Sequence, residues 1–114
     1  MTSIPFKTGD VHGGFSECRG AIRVDGDDVV IETQVKLIGM FEQSAKTHRF
    51  ELTDLEEVRH KRGLFRDRIT LRTRPMSLIT DVPGSENGAL VLRVKRRHRA
   101  DVDRFLDRLD LWVT

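Results

Sequence analysis

Alternation with period two runs through most of the chain. Val29, Ile31, Thr33 and Val35 fall on one side of an extended segment and Val30, Glu32, Gln34 and Lys36 on the other, as a half-buried antiparallel strand requires. Residues 19–24 form a matching run, joined to 28–35 through Val24-Asp25-Gly26-Asp27, where Asp-Gly can take the positive φ of a tight hairpin turn. A short strand over 47–52 turns Phe50 and Leu52 inward, and Thr53-Asp54 ends it. Residues 55–61 follow with Leu55 inward, and Arg62-Gly63 turns the chain. In 66–74, Asp67, Ile69, Leu71 and Thr73 share one side while Arg66, Arg68, Thr70, Arg72 and Arg74 share the other, and Pro75 stops the run. Residues 76–82 give a sixth short strand, 83–88 a turn cluster, and 89–96 a seventh strand. The period then changes. Val102, Phe105, Leu106, Leu109, Trp112 and Val113 lie at i, i+3, i+4, i+7, i+10 and i+11, one stripe of an amphipathic helix. Asp101 and Asp103 sit in its first turn, favoured by the helix dipole.

About seven short strands followed by one terminal helix predict a mainly β barrel or sandwich closed by that helix. With 114 residues there is room for one core. The expected division is an N-terminal lead-in over 1–16, rich in Gly9, Gly13 and Gly14, and a folded domain over 17–114. Apolar runs reach only four or five residues and the first ten fit neither a secretory signal nor an anchor. The expectation is therefore a cytoplasmic protein with no transmembrane segment. The single cysteine, Cys18, excludes an intramolecular disulfide and a cysteine-based zinc site.

The segment Phe50-Glu51-Leu52-Thr53-Asp54-Leu55-Glu56-Glu57-Val58, then Lys61-Arg62-Gly63-Leu64, then Arg68-Ile69-Thr70-Leu71 resembles a recurrent phrase of the small bacterial pleckstrin-homology-like domains. That phrase is a strand, Leu-x-Asp-Leu/Ile-x-x-Val, an Arg-Gly turn and the next strand. The resemblance covers about residues 17 to 112. It implies a barrel of two nearly orthogonal antiparallel sheets, of four strands and three, capped by the C-terminal helix. The sequence departs from the phosphoinositide-binding members at the first hairpin, where they carry a basic cluster and this chain has Asp25, Asp27 and Asp28. Those aspartates repel a phosphorylated headgroup. It also has Phe105 where eukaryotic members tend to carry a central Trp. Lipid binders, peptide binders and oligomer-forming scaffolds share this superfold.

Net charge is only +2, yet residues 59–74 hold seven Lys or Arg against Asp67 alone, and 93–99 hold five against none. Those two segments carry +11 and the rest −9. Alternation places Arg66, Arg68, Arg72 and Arg74 on one face of the fifth strand, and Arg93, Lys95 and Arg97 on one face of the seventh. In the expected fold both strands flank the sixth and share one outer face. Like charges crowded on a sheet destabilise it, so either a negative partner sits there or Glu56, Glu57 and helix carboxylates of the same chain pair with the arginines. A second feature is Leu37-Ile38-Gly39-Met40-Phe41, apolar where a polar loop is expected. Leu37, Ile38, Met40 and Phe41 are either a docking patch or fold back over the barrel mouth.

The expected function is a non-catalytic protein-binding or self-assembling module that uses this loop and the arginine face. The alternative is binding of anionic lipid headgroups or nucleic acid by the basic face, a single-stranded nucleic acid being disfavoured because no aromatic ring interleaves the basic rows to stack its bases. No cofactor is implied. His12, His48, His60 and His98 show no spacing that suggests metal ligation. Cys18 beside a strand reads as a small buried hydrophobe, and Gly9-Asp10-Val11-His12-Gly13-Gly14 lacks the Lys-Ser/Thr and following helix of a phosphate loop. Asp27-Asp28 and Glu56-Glu57 are adjacent, so a regular strand sends each pair to opposite faces.

Overall fold

The computed structural model describes residues 3–11, 16–37, 40–41, 46–80, 82, 85 and 88–109. Among these residues eight strands occur in chain order: β1 Ile4–Val11, β2 Ser16–Asp25, β3 Asp28–Leu37, β4 Met40–Phe41, β5 Lys46–Glu51, β6 Leu55–Lys61, β7 Arg66–Thr73 and β8 Ala89–Lys95. A short helix α1, Ser77–Thr80, lies between β7 and β8, and helix α2, Arg99–Leu109, follows β8. The strands form one antiparallel sheet in the order β4-β3-β2-β1-β8-β7-β6, with β5 also paired to β3, and the sheet is not closed. Among the described residues no helix is long and apolar enough to cross a membrane.

The expected hairpin forms. Asp25 pairs with Asp28, and Gly26 between them takes φ of 61°, a backbone state that side-chain-bearing residues avoid. Ile22, Val24, Val29, Ile31 and Phe50 turn inward from β2, β3 and β5. Ile69, Leu71, Leu90, Leu92 and Val94 do the same from β7 and β8, and Val58, left unassigned by the pattern, joins them. Val102, Phe105, Leu106 and Leu109 of α2 complete the cluster, so the helical stripe serves the core it was expected to cover. Trp112 and Val113 lie outside the described residues. A 3₁₀ turn at Leu52–Asp54 links distant parts of the sheet: Leu52 N donates to Asp27 O and Arg74 N to Asp54 O, both at 2.8 Å.

Two expectations are corrected. Residues 4–11, expected in the lead-in, form β1 between β2 and β8. Ile4, Phe6 and Thr8 are buried on its inner side, and Pro5 and the inward Thr8 obscure that alternation. The strand tolerates Pro5 because its register with β8 is confined to Lys7 opposite Arg93. The second correction concerns 76–82, where the chain makes α1 instead of a strand. Ile79 and Val82, three residues apart, are the buried side chains. Leu78 N donates to Pro75 O, Ile79 N to Met76 O and Val82 N to Ile79 O, while the Thr80 hydroxyl takes the Met76 carbonyl at 3.0 Å. β7 pairs directly with β8.

Gly20 of β2 pairs with Phe6 and Thr33. A Cβ there would meet the Glu32 carbonyl oxygen at 2.2 Å and the Phe6 ring at 2.8 Å, so neither strand can hold its place. Gly20→Ala is expected to destabilise the fold by about 1–3 kcal/mol; a thermal melt identical to the parent would refute this.

Candidate functional site

The basic residues gather through the register. Arg66 lies opposite Lys95, and Arg68 opposite Arg93. Arg93 pairs in turn with Lys7 of β1 and Lys7 with Arg19 of β2, while Arg68 pairs on its other side with Lys61 of β6. Arg19, Lys7, Arg93, Arg68 and Lys61 thus form one transverse row over five strands, spanning roughly 19 Å at the usual strand spacing. Side chains directly opposite in an antiparallel pair project from the same face. The inward neighbours Phe6, Ile69, Leu92 and Val94 are buried, which places the whole row outward. Lys7, Arg19 and Lys61 were not among the expected site residues, because their membership depends on which strands pair.

The expected arginine face divides in two. Glu57 pairs with Arg72 at 3.4 Å and with Arg59, and Glu56 pairs with Arg74 at 2.7 Å. A register shift between Leu55 and Glu57 disrupts the simple alternation expected for these adjacent carboxylates, so that both meet arginines. Among the described residues no carboxylate pairs with Lys7, Lys61, Arg66, Arg68, Arg93, Lys95 or Arg97. An open cleft of about 250 Å³ is lined there by Lys7, Arg19, Arg66, Arg93, Lys95 and Arg97, together with His98, Pro5, Phe6 and Gly20. Among the described residues no acidic side chain lines it. Such a site offers charge and hydrogen-bond donors to an anion carrying several negative groups.

Next to this cleft the β6–β7 loop carries Leu64 and Phe65, 73% and 79% exposed. Its backbone is tied down from below by Asp67, whose side chain is fully buried. Arg99 at the start of α2 donates to Asp67 Oδ1 through Nη2 at 2.6 Å and to Oδ2 through Nε at 3.1 Å. His60 Nε2 lies 3.0 Å from Oδ2; an ionised carboxylate only accepts, so Nε2 carries the proton. The Gly63 amide donates to Oδ1 at 3.4 Å, and Arg99 Nη2 returns a bond to Gly63 O at 2.9 Å. The Arg99 guanidinium, set against the burial that opposes ionisation and aided by His60 and the Gly63 amide, holds the Asp67 carboxyl at about 2, below its ordinary 3.8. The alternation placed Asp67 inward among Ile69, Leu71 and Thr73, and a carboxylate in that row was the signal for a buried network.

The remaining candidates disperse. Burial pushes the Cys18 thiol pKa up, against hydrogen bonds from the Thr8 side chain and the Gln34 backbone, so the nucleophilic thiolate is disfavoured. Asp25 and Asp28 both bind Arg49, at 2.9 and 2.7 Å. His48 lies in β5 opposite Ile31, His98 beside Arg97, and His60 on Asp67. Among the described residues no three His, Cys, Asp or Glu side chains converge as metal ligands. Lys36 and Leu37 of β3 pair with Phe41 and Met40 of β4. The side chains of Leu37, Met40 and Phe41, all of Ile38, and His12 lie outside what the structure describes. No family model, curated protein or solved structure matches the chain.

Proposed function

We propose that this chain is a non-catalytic, pleckstrin-homology-like module that binds anionic partners through the outer face of β1, β2, β6, β7 and β8. The family reading draws support from two meanders, β1 to β5 and β6 to β8, joined through β1 and β8, with a C-terminal helix packed into the core. The binding reading rests on the in-register row Arg19, Lys7, Arg93, Arg68 and Lys61. Repulsion within such a row is relieved by a polyanion that bridges the strands. The self-assembling alternative uses the same face with Leu37, Ile38, Met40 and Phe41 as the anchor of a second copy.

Titration with inorganic polyphosphate at several salt concentrations tests the proposal. Affinity should fall steeply with salt. Arg68→Ala should weaken it roughly fivefold, the worth of one cation near an anionic surface, whereas Arg72→Ala, which removes a residue that Glu57 already pairs, should change it less. Absence of binding at low salt, or equal losses in the two variants, would overturn the assignment. Light scattering on the same samples addresses self-assembly: a defined oligomer that Phe41→Asp dissociates is that reading's expected outcome, and a monomer at every salt concentration counts against it.

A further inference from the structure

We propose that the β6–β7 loop is an apolar anchor that seats the basic face on an anionic lipid bilayer, Leu64 and Phe65 entering the boundary between headgroups and acyl chains. This rests on the anion-binding reading above and names the surface bound. Hairpin tips are ordinarily polar, and two adjacent large apolar side chains in water are unfavourable unless something covers them. Here they are the tip of a cationic collar. Lys61, Arg62, Arg66 and Arg68 surround them in a second open cleft, and Arg66 also lines the cleft of the basic row, so the two features are continuous.

The loop is also held in shape. Arg96 N donates to Phe65 O at 3.2 Å, Arg99 Nη2 to Gly63 O at 2.9 Å, and Gly63 N to buried Asp67 at 3.4 Å. Arg62 reaches Asp103 of α2 at 3.3 Å. The backbone faces its supports while the two apolar side chains face solvent, so little ordering remains to be done on contact. Headgroup phosphates meet the cations and hydrocarbon meets Leu64 and Phe65, the pairing of two weak signals that gives stable interfacial binding. A single-stranded nucleic acid fits less well. It would use Phe65 as a stacking platform but has no use for Leu64, and Phe65 is the one strongly exposed aromatic ring among the described residues.

The test compares co-sedimentation with phosphatidylcholine vesicles, with vesicles that also contain phosphatidylserine, and binding of inorganic polyphosphate and of a single-stranded oligonucleotide. The intact chain should partition onto the phosphatidylserine vesicles and far less onto phosphatidylcholine alone. Leu64→Ser with Phe65→Ser should cut vesicle binding roughly a hundredfold, about tenfold per side chain withdrawn from hydrocarbon, and leave polyphosphate binding within about twofold. Both positions are exposed, and an unchanged thermal melt verifies the fold of the variant. Equal vesicle binding by the variant and the parent would overturn the anchor. So would tighter binding of the oligonucleotide than of the vesicles, with loss on Phe65→Ser. Polyphosphate binding without any vesicle binding defeats the anchor alone, whereas failure to bind either probe defeats the anion-binding reading too.

Discussion

Asp67→Ala is expected to destabilise the fold by about 3 kcal/mol, the lower end of the range for removing one partner of a buried ion pair. The lower end applies because Arg99 retains partial exposure and can rehydrate, whereas Asp67 is fully enclosed. Asp67→Asn should cost less, since it keeps the shape and loses the charge. The pH dependence follows from the depressed pKa. A carboxyl at about 2 in the fold and near 3.8 in the unfolded chain contributes about 2 kcal/mol of stability above the unfolded value. That contribution fades as pH falls toward the folded value. The gap between parent and Asp67→Asn, measured by urea unfolding, should stay constant from roughly pH 5 to 8 and narrow between about 4 and 2. A gap independent of pH over the acid range would show that ionisation of Asp67 contributes nothing. Hydrogen exchange offers a second readout, because the Gly63 amide ends on this carboxylate; it should exchange faster in the variant even where the global melt changes little.

The chain shows its own architecture unevenly. Period-two alternation in β7, the Asp25-Gly26 turn and the stripe Val102, Phe105, Leu106 and Leu109 are local patterns, and each came out as read; in β3 the alternation holds from Ile31 to Gln34, but Val30, expected on the polar side, is buried as fully as Val29 and Ile31. β1 was illegible because Pro5 argues against an internal strand and Thr8 occupies an inward place. Residues 76–82 alternate acceptably as a strand, but the Pro75 and Met76 carbonyls are taken by Leu78 and Ile79, and local hydrogen bonding decides for helix.

The site divides along the same line. That the charges segregate is visible in the sequence. That Glu56 and Glu57 neutralise Arg74 and Arg72, while among the described residues no carboxylate pairs with Lys7, Arg93, Arg68 or Lys61, depends on a bulge and on strand order. Lys7 and Arg19 enter through the pairing of β1 with β8, strands far apart in the chain, which no local pattern specifies. Leu64 and Phe65 presented the same kind of signal as Leu37 to Phe41, apolar residues where a turn is expected, but stood behind Arg62-Gly63, read simply as a turn.

Arg93→Glu should separate stability from binding. Arg93 is the centre of the transverse row, with Lys7 on one neighbouring strand and Arg68 on the other. In the parent both contacts are like-charged and oppose folding; a carboxylate at that place makes both favourable, and stability should rise by up to about 1 kcal/mol. Binding should move the other way. The substitution reverses one charge and occupies the cations on either side, so roughly three of the row's positive charges are withdrawn from the anion. At about 1 kcal/mol each near an anionic surface, polyphosphate affinity at low salt should drop on the order of a hundredfold, with a shallower dependence on salt. Urea unfolding and polyphosphate titration of one preparation measure both quantities. A variant more stable than the parent and unable to bind would mean that the repulsion along this face is retained for the anion it attracts. A variant that binds as well as the parent would leave the row a solvated surface, its mutual repulsion too weak to matter.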